Sequence, residues 1–313
     1  MKDLGPVVPI VTPCNPDGSI DLLGFRSVCD EMLNAGCKGI FIAGTTGRGP
    51  WFGLQERTRM CNAAAEHIKS TTVNGGAAPL LFAGVTSSGL AGMLENAHAM
   101  ADAGADVVVA TVPTYFHYNY TEIETIYSKF ADASPLPVMI YDIPEYTQVK
   151  LANDMVLRLA RHGNVIGFKD SSADMERFKG LLDVLQSFPD FYLMQGKENL
   201  ISESLQMGAS GFIVSLLHID PTPFVNVYRA VRQGDVKTAE LNQDVINQVI
   251  SLVRKCIDQR SESSTLFNML NYALRKRGTC NSIMLDHDDT APAWLLENTQ
   301  RAIEICQSVK ALS

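Results

Sequence analysis

The sequence contains no run approaching the roughly 18 apolar residues that a helical membrane span requires. Its start, Met1-Lys2-Asp3-Leu4-Gly5-Pro6, has no charged leader followed by an apolar stretch, so a soluble, unexported, cytoplasmic protein is expected. Basic residues are scarce: 26 Lys and Arg against 34 Asp and Glu give a net charge of -8, and no single helix gathers them. That argues against a nucleic-acid or anionic-membrane surface and for a small-molecule partner. Closely paired cysteines are also missing. The seven cysteines (Cys14, Cys29, Cys37, Cys61, Cys256, Cys280, Cys306) are scattered and odd in number, with no Cys-x-x-Cys pair. A disulfide framework and a zinc site are both excluded by that pattern, which fits free thiols in a reducing compartment. No low-complexity tract is present, and no strand opens into the Gly-x-Gly-x-x-Gly turn of a dinucleotide-binding fold.

What the chain does have is 313 residues of ordinary globular composition, 46% hydrophobic and 19% charged, and a regular alternation of short apolar runs with amphipathic segments. The runs at 7–12, 39–43, 80–83, 107–110, 138–141, 165–168, 191–194 and 211–214 are continuously apolar rather than alternating. Such runs are what a parallel sheet covered on both faces requires. Each is followed by a helical pattern. The first is capped by Asp21, repeats apolar residues at Leu22, Phe25, Val28, Met32 and Leu33, and ends near Gly36. Eight such units predict a closed (β/α)8 barrel, a TIM barrel, spanning 1–222. From Asp220 onward the pattern is helical only, predicting a C-terminal helical extension over 223–313 packed on the barrel, its first helix a candidate eighth barrel helix.

In such a barrel chemistry gathers at the C-terminal ends of the strands. The second strand ends in Gly44-Thr45-Thr46-Gly47, the fourth in Pro113-Thr114-Tyr115-Phe116, the fifth in Tyr141-Asp142-Ile143-Pro144 and the sixth in Lys169. The seventh gives Gln195-Gly196-Lys197-Glu198 and the eighth Ser215. A lysine closing a buried strand either reaches solvent or has its pKa lowered towards a nucleophilic amine suited to Schiff-base chemistry. Gly44-Thr45-Thr46-Gly47 reads as a tight turn or as a carboxylate-holding loop. Tyr115 lies in an aromatic cluster with Phe116, Tyr118 and Tyr120 that packing alone could explain, and Tyr141 could simply satisfy its phenol once. No histidine and aspartate accompany Ser215 as a nucleophile's partners. The six histidines show no ligand spacing, and Asp286-His287-Asp288-Asp289 reads as a solvated acidic turn, so no metal is expected.

The motifs Gly44-Thr45-Thr46-Gly47, Tyr115, Tyr141-Asp142-Ile143-Pro144, Gly167-Phe168-Lys169 and Gly208-Ala209-Ser210-Gly211, in this order, resemble the dihydrodipicolinate synthase and N-acetylneuraminate lyase superfamily of class I aldolases. The resemblance spans nearly the whole chain. It implies a TIM barrel with a C-terminal helical region, assembled as a homotetramer of tight dimers, and a covalent imine with no cofactor. It further implies that Lys169 forms the Schiff base with pyruvate or another 2-oxo acid. Tyr141 would transfer protons, hydrogen-bonded to Thr46, with Tyr115 completing the relay, in part of the family from the neighbouring subunit. Thr45, Thr46 and Gly47 would hold the substrate carboxylate, and Ser171, Gly196, Glu198 and Ser215 would line the variable half of the pocket.

The chain departs from the family at several points. Dihydrodipicolinate synthases typically carry an arginine two residues after the proline of Tyr-Asn-x-Pro; here Tyr146 stands there, removing a second carboxylate clamp. Asp142 replaces the common Asn, and Arg48 follows Gly47 where Glu is usual, facing either a substrate anion or a structural ion pair. Acidic neighbours after the seventh strand, used for sugar hydroxyls in N-acetylneuraminate lyases, are here Lys197, Glu198 and Asn199. The expected activity is a lyase making or breaking a C–C bond on a 2-keto-3-deoxy sugar acid or related hydroxy-2-oxo acid. Alternatives are a dehydratase using the same imine, the synthase or sialic-acid lyase activities themselves, and a non-catalytic 2-oxo acid sensor.

Overall fold

A computed structural model describes residues 2–70, 78–257, 261–283 and 291–312. Among them, eight strands run parallel and close on themselves in chain order. They are β1 (Gly5–Pro9), β2 (Gly39–Ile42), β3 (Leu80–Gly84), β4 (Val107–Ala110), β5 (Val138–Asp142), β6 (Val165–Asp170), β7 (Tyr192–Gln195) and β8 (Gly211–Phe212), with β1 pairing β8 to seal the ring. The outer ring contains α1 (Leu22–Ala35), α2 (Leu54–Ser70), α3 (Leu90–Asp102), α4 (Tyr120–Ala133), the one-turn α5 (Pro144–Thr147), α6 (Asn153–Ala160), α7 (Met175–Leu185), α8 (Ile201–Gln206) and α9 (Thr222–Arg232). The TIM barrel expected from the alternating pattern is therefore the fold. No helix among the described residues is long and apolar enough to cross a membrane.

Strand pleating divides the core in two. One cluster fills the barrel interior with Val7, Phe41, Phe82, Val107, Val109, Met139, Tyr141, Met194 and Ile213. The other, containing Val8, Ile40, Val108, Ile140 and Phe168, lies between the strands and the helices. Alternate residues of each strand thus face opposite layers, which is why the apolar runs are continuous. Tyr141 shares the inward face with Met139, two residues before it. Between β5 and β6 the register shifts at Val138/Met139, after which Met139 pairs Gly167 and Tyr141 pairs Lys169. This irregularity re-aims the last residues of β6.

Helix ends follow the sequence signals. Asp21 caps α1 by accepting from the Leu23 and Gly24 amides, and Gly36 takes the left-handed conformation at its end (φ 116°). α7 is capped by Asp174, which accepts from the Arg177 amide at 2.9 Å, and not by the polar Asp170-Ser171-Ser172 stretch just before it. Asp170 instead extends β6 two residues beyond its apolar run, because ladder bonds are made by backbone and are indifferent to the polar side chains.

Beyond α9, which packs against β1 and α8, the chain continues as α10 (Val236–Ile257), α11 (Glu262–Arg277) and α12 (Ala293–Gln307). Arg277 at the end of α11 ion-pairs Glu31 of α1 at 2.5 Å and donates to the carbonyls of His218 (2.8 Å) and Ile219, tying the extension to the barrel. As a result α11 lies across the C-terminal rim of the barrel.

One backbone crossing at that rim admits only glycine. A Cβ on Gly49 would sit 1.8 Å from the Ala43 carbonyl oxygen, and neither group can yield without moving β2. At Gly278, by contrast, only the left-handed φ of 72° opposes a side chain and the space is open. Gly49→Ala is expected to cost about 3 kcal/mol or more and Gly278→Ala about 1 kcal/mol, read from denaturant unfolding midpoints.

Candidate active site

The C-terminal mouth of the barrel holds a cavity of about 420 Å³. Its floor is Lys169, which β6 projects inward beside Tyr141 of β5 because the two are register partners. The Lys169 Nζ lies 3.8 Å from the centroid of the Tyr141 ring and 5.6 Å from that of Phe41, in a position only 4% exposed. Burial lowers its pKa to about 7, against the attraction of Glu198 and with a small further push from Lys197. An amine in that range is substantially neutral at neutral pH, as a nucleophile must be. Burial pushes the Tyr141 phenol the other way, up to about 12, opposed by hydrogen bonds from the Thr45 and Ser171 hydroxyls. Tyr141 is therefore a proton donor in the resting site.

The hydroxyl on the second strand's loop that holds the Tyr141 phenol down is that of Thr45, whereas the resemblance implied Thr46. Thr46 is buried and lines the cavity beside it. The reason lies in the loop's tight turns: Arg48 N donates to Thr45 O and Gly49 N to Gly44 O, both at 3.0 Å. Gly47 does not line the cavity. It is packed behind the loop, its carbonyl accepting from Thr12 Oγ1 at 2.7 Å, and a Cβ there would lie 2.7 Å from Ile10 O. Tyr115 is also outside its own chain's cavity, 76% exposed and edge-on to Phe116 at 4.9 Å.

The remaining candidates converge. Ser171, Gly196, Glu198 and Ser215 all line the cavity. Glu198 Oε1 accepts from Ser215 N at 3.1 Å, Ser215 Oγ at 3.2 Å and Leu216 N at 3.3 Å, fixing its carboxylate across the β7–β8 gap. Gly196 has no side chain because Ser171 Oγ would lie 2.0 Å from a Cβ there. Lys197 Nζ pairs with Glu145 Oε1 at 2.8 Å at the rim.

Other wall residues carry no motif. Thr86 and Thr111, just past β3 and β4, face each other at 3.1 Å between hydroxyls, and Ser263, Leu266 and Phe267 of α11 close the far side. The threonines could have been found as the first hydroxyls beyond each apolar run. The α11 residues could not, because nothing local says where a distant helix lands. Arg48, in a left-handed conformation (φ 52°), stacks its guanidinium over Phe267 at 3.9 Å and Trp51 at 5.1 Å. Among the described residues no group of three or more His, Cys, Asp or Glu could hold a metal; Asp286-His287-Asp288-Asp289 lies outside them.

A family model for dihydrodipicolinate synthetases matches residues 3–281. The chain belongs to that family. It is 30% identical over 247 residues to the 4-hydroxy-tetrahydrodipicolinate synthase of Neisseria meningitidis serogroup B, a match covering 77% of this chain and 80% of that one. Dihydrodipicolinate synthase from Bacteroides thetaiotaomicron superposes with a TM-score of 0.85 at 24% identity, over 97% of this chain and 99% of that one. YagE, a prophage protein of E. coli K12 solved in complex with pyruvate, superposes with a TM-score of 0.84 at 22% identity, over 97% and 98%. These two likenesses bear on the fold alone. By family the chain is an enzyme, a lyase of the Schiff-base-forming class I aldolase superfamily.

The depressed pKa of Lys169 carries a stability signature. Between pH values of about 7 and 10.5 the unfolded chain binds a proton at Lys169 that the folded chain does not. Stability therefore rises with pH across that window, and the burden of the buried amine is greatest below it. Lys169→Met is expected to stabilise the protein by about 2 kcal/mol or more near pH 6, with the advantage shrinking towards pH 10, measured by paired denaturant titrations.

Proposed function

We propose that Lys169 attacks the keto carbon of pyruvate or a substituted 2-oxo acid, and that the enzyme cleaves or forms the adjacent C–C bond of a 2-keto-3-deoxy sugar acid or related hydroxy-2-oxo acid. The observation that carries this reading is the buried, near-neutral amine 3.8 Å from the Tyr141 ring at the base of a hydroxyl-lined cavity. The amine adds to the carbonyl, Tyr141 donates its proton to the resulting oxygen, and loss of water leaves a protonated imine. The cation so formed lies against Tyr141 and lowers the phenol towards a value at which it can take a proton back. Removal of the proton from the substrate's 4-hydroxyl then sends the C3–C4 bonding pair into the imine, releasing an aldehyde and leaving an enamine. Protonation of the enamine and hydrolysis return pyruvate and free Lys169.

Thr45 relays the proton and, with Thr46, holds the substrate carboxylate; Gly47 serves only to shape the loop. Ser171, Gly196, Glu198 and Ser215, joined by Thr86 and Thr111, bind the hydroxylated distal half. The chemistry calls for no cofactor beyond the imine, a small-molecule substrate, and a cytoplasmic setting where the buried thiols stay reduced. The exposure of Tyr115 fits a homotetramer of tight dimers in which this phenol enters the neighbouring subunit's site. Synthase activity is the second reading, favoured by the name of the Neisseria relative. Against it, Tyr146, which lines the cavity, offers no guanidinium for a second carboxylate.

Assay of a panel of keto-deoxy sugar acids and 2-oxo acids for release of pyruvate with an aldehyde tests the reading. Loss of water without an aldehyde identifies a dehydratase instead. Lys169→Ala is expected to abolish turnover, and Tyr141→Phe to lower kcat by roughly 10² while leaving imine formation intact, if slow. Turnover by Lys169→Ala at the wild-type rate overturns the assignment.

A further inference from the structure

Behind the two inward residues stand two outward ones. The register that pairs Tyr141 with Lys169 also pairs Asp142 with Asp170, and both carboxylates are buried, at 1% and 2% exposure, on the helix side of the sheet. Two adjacent buried carboxylates repel and are each costly to desolvate. A single guanidinium from the first turn of α7 lies between them: Arg177 Nη2 meets Asp142 Oδ2 at 2.7 Å and Arg177 Nη1 meets Asp170 Oδ2 at 2.8 Å. Even so, burial pushes Asp142 up to about 7 against the opposing effect of Arg177.

The same guanidinium donates to the Leu151 carbonyl from Nε at 3.0 Å and Nη2 at 2.6 Å, and from Nη1 to Ser172 Oγ at 3.2 Å. Asp170 Oδ1 accepts from Ser172 N at 2.8 Å, and Asp142 Oδ2 from Leu151 N at 3.3 Å. One side chain thus joins the ends of β5 and β6, the loop after β6 and the segment before α6. Ser171, whose hydroxyl lowers the Tyr141 phenol and donates to Gly196 O at 3.4 Å, is held inside this frame, its amide donating to Asp142 O at 2.9 Å.

We propose that Arg177 is a positioning residue: by clamping Asp142 and Asp170 from outside the barrel, it fixes the register in which Tyr141 opposes Lys169 and the depth at which the Lys169 amine is buried. Its consequence for turnover rests on Lys169 being the nucleophile, as proposed above; the clamp itself does not. The ladder alone does not fix this register, since the β5–β6 pairing is already shifted at Val138/Met139. A slip at the strand ends would move Lys169 off the inner face. Apolar residues in place of the trio would pack at lower desolvation cost, which makes geometry rather than stability its function. Lysine cannot reproduce the clamp, because an ammonium lacks the planar fork that meets two carboxylates at once.

The test is the pH dependence of Lys169 acetylation by a trace of acetic anhydride, quantified per lysine by mass spectrometry of the folded enzyme. In wild type the midpoint is expected near 7. In Arg177→Lys, still cooperatively folded, it is expected to rise by about one pH unit or more, a tenfold change in proton affinity. Asp142→Leu is expected to behave likewise, and Asp142→Asn, which keeps an oxygen acceptor for Arg177, to shift far less. A purely structural role moves thermal stability but not this midpoint. Wild-type midpoints in both Arg177→Lys and Asp142→Leu overturn the proposal. Should Arg177→Lys fail to fold, equal midpoints in Asp142→Leu, Asp142→Asn and wild type do so. The labelling needs no substrate, so a wild-type enzyme that forms no imine with any 2-oxo acid overturns the nucleophile reading while the midpoints still decide the role of Arg177.

Discussion

Burial of one ammonium group organises this molecule. Lys169 is at the base of a cavity where its charge is poorly solvated, with an aromatic ring against it and no carboxylate within ion-pairing distance among its described contacts. A closed barrel of parallel strands is a natural way to build such a place. Its interior is packed with side chains up to the rim, and the last inward residue of each strand looks into a recess rather than into water. The fold supplies the low dielectric, and the strand register decides which group occupies it.

From that position the chemistry follows by elementary steps. A neutral amine and a protonated phenol in contact are what addition to a carbonyl requires, and in the proposed mechanism the cation that forms reverses the phenol's role. The opposite shifts of Lys169, down to about 7, and Tyr141, up to about 12, share one largest cause, the loss of water around each. Glu198 and Lys197 act on both groups only as smaller, mutually opposing influences. Of the charged groups nearby, Glu198 and Lys197 line the same cavity, Lys197 paired with Glu145 at the rim, while Asp142, Arg177 and Asp170 lie behind the strands.

Most of the barrel was legible in the sequence because buried parallel strands write themselves as short, unbroken apolar runs. β4 (Val107–Ala110) coincides with its run, whereas β6 outlasts its own because Lys169 and Asp170 interrupt the apolar signal but not the ladder. The motif residues at the strand ends were equally readable, and Lys169, Tyr141, Ser171, Glu198 and Ser215 come together in one cavity. Three features were not readable. The choice of Thr45 over Thr46 depends on a turn whose geometry two adjacent threonines do not reveal. The wall formed by Phe267 depends on how α11 docks, a long-range event fixed by Arg277 and Glu31. The Asp142–Arg177–Asp170 cluster joins residues whose spacing carries no pattern, because they meet through the register of β5 with β6 and the placement of α7.

In the proposed mechanism Lys169, and no other lysine, forms the imine. Reduction of the wild-type enzyme with borohydride in the presence of pyruvate, followed by peptide mapping, measures it directly. A single modified lysine, Lys169, is expected. Modification of Lys197 instead, or of no lysine at all, would contradict it.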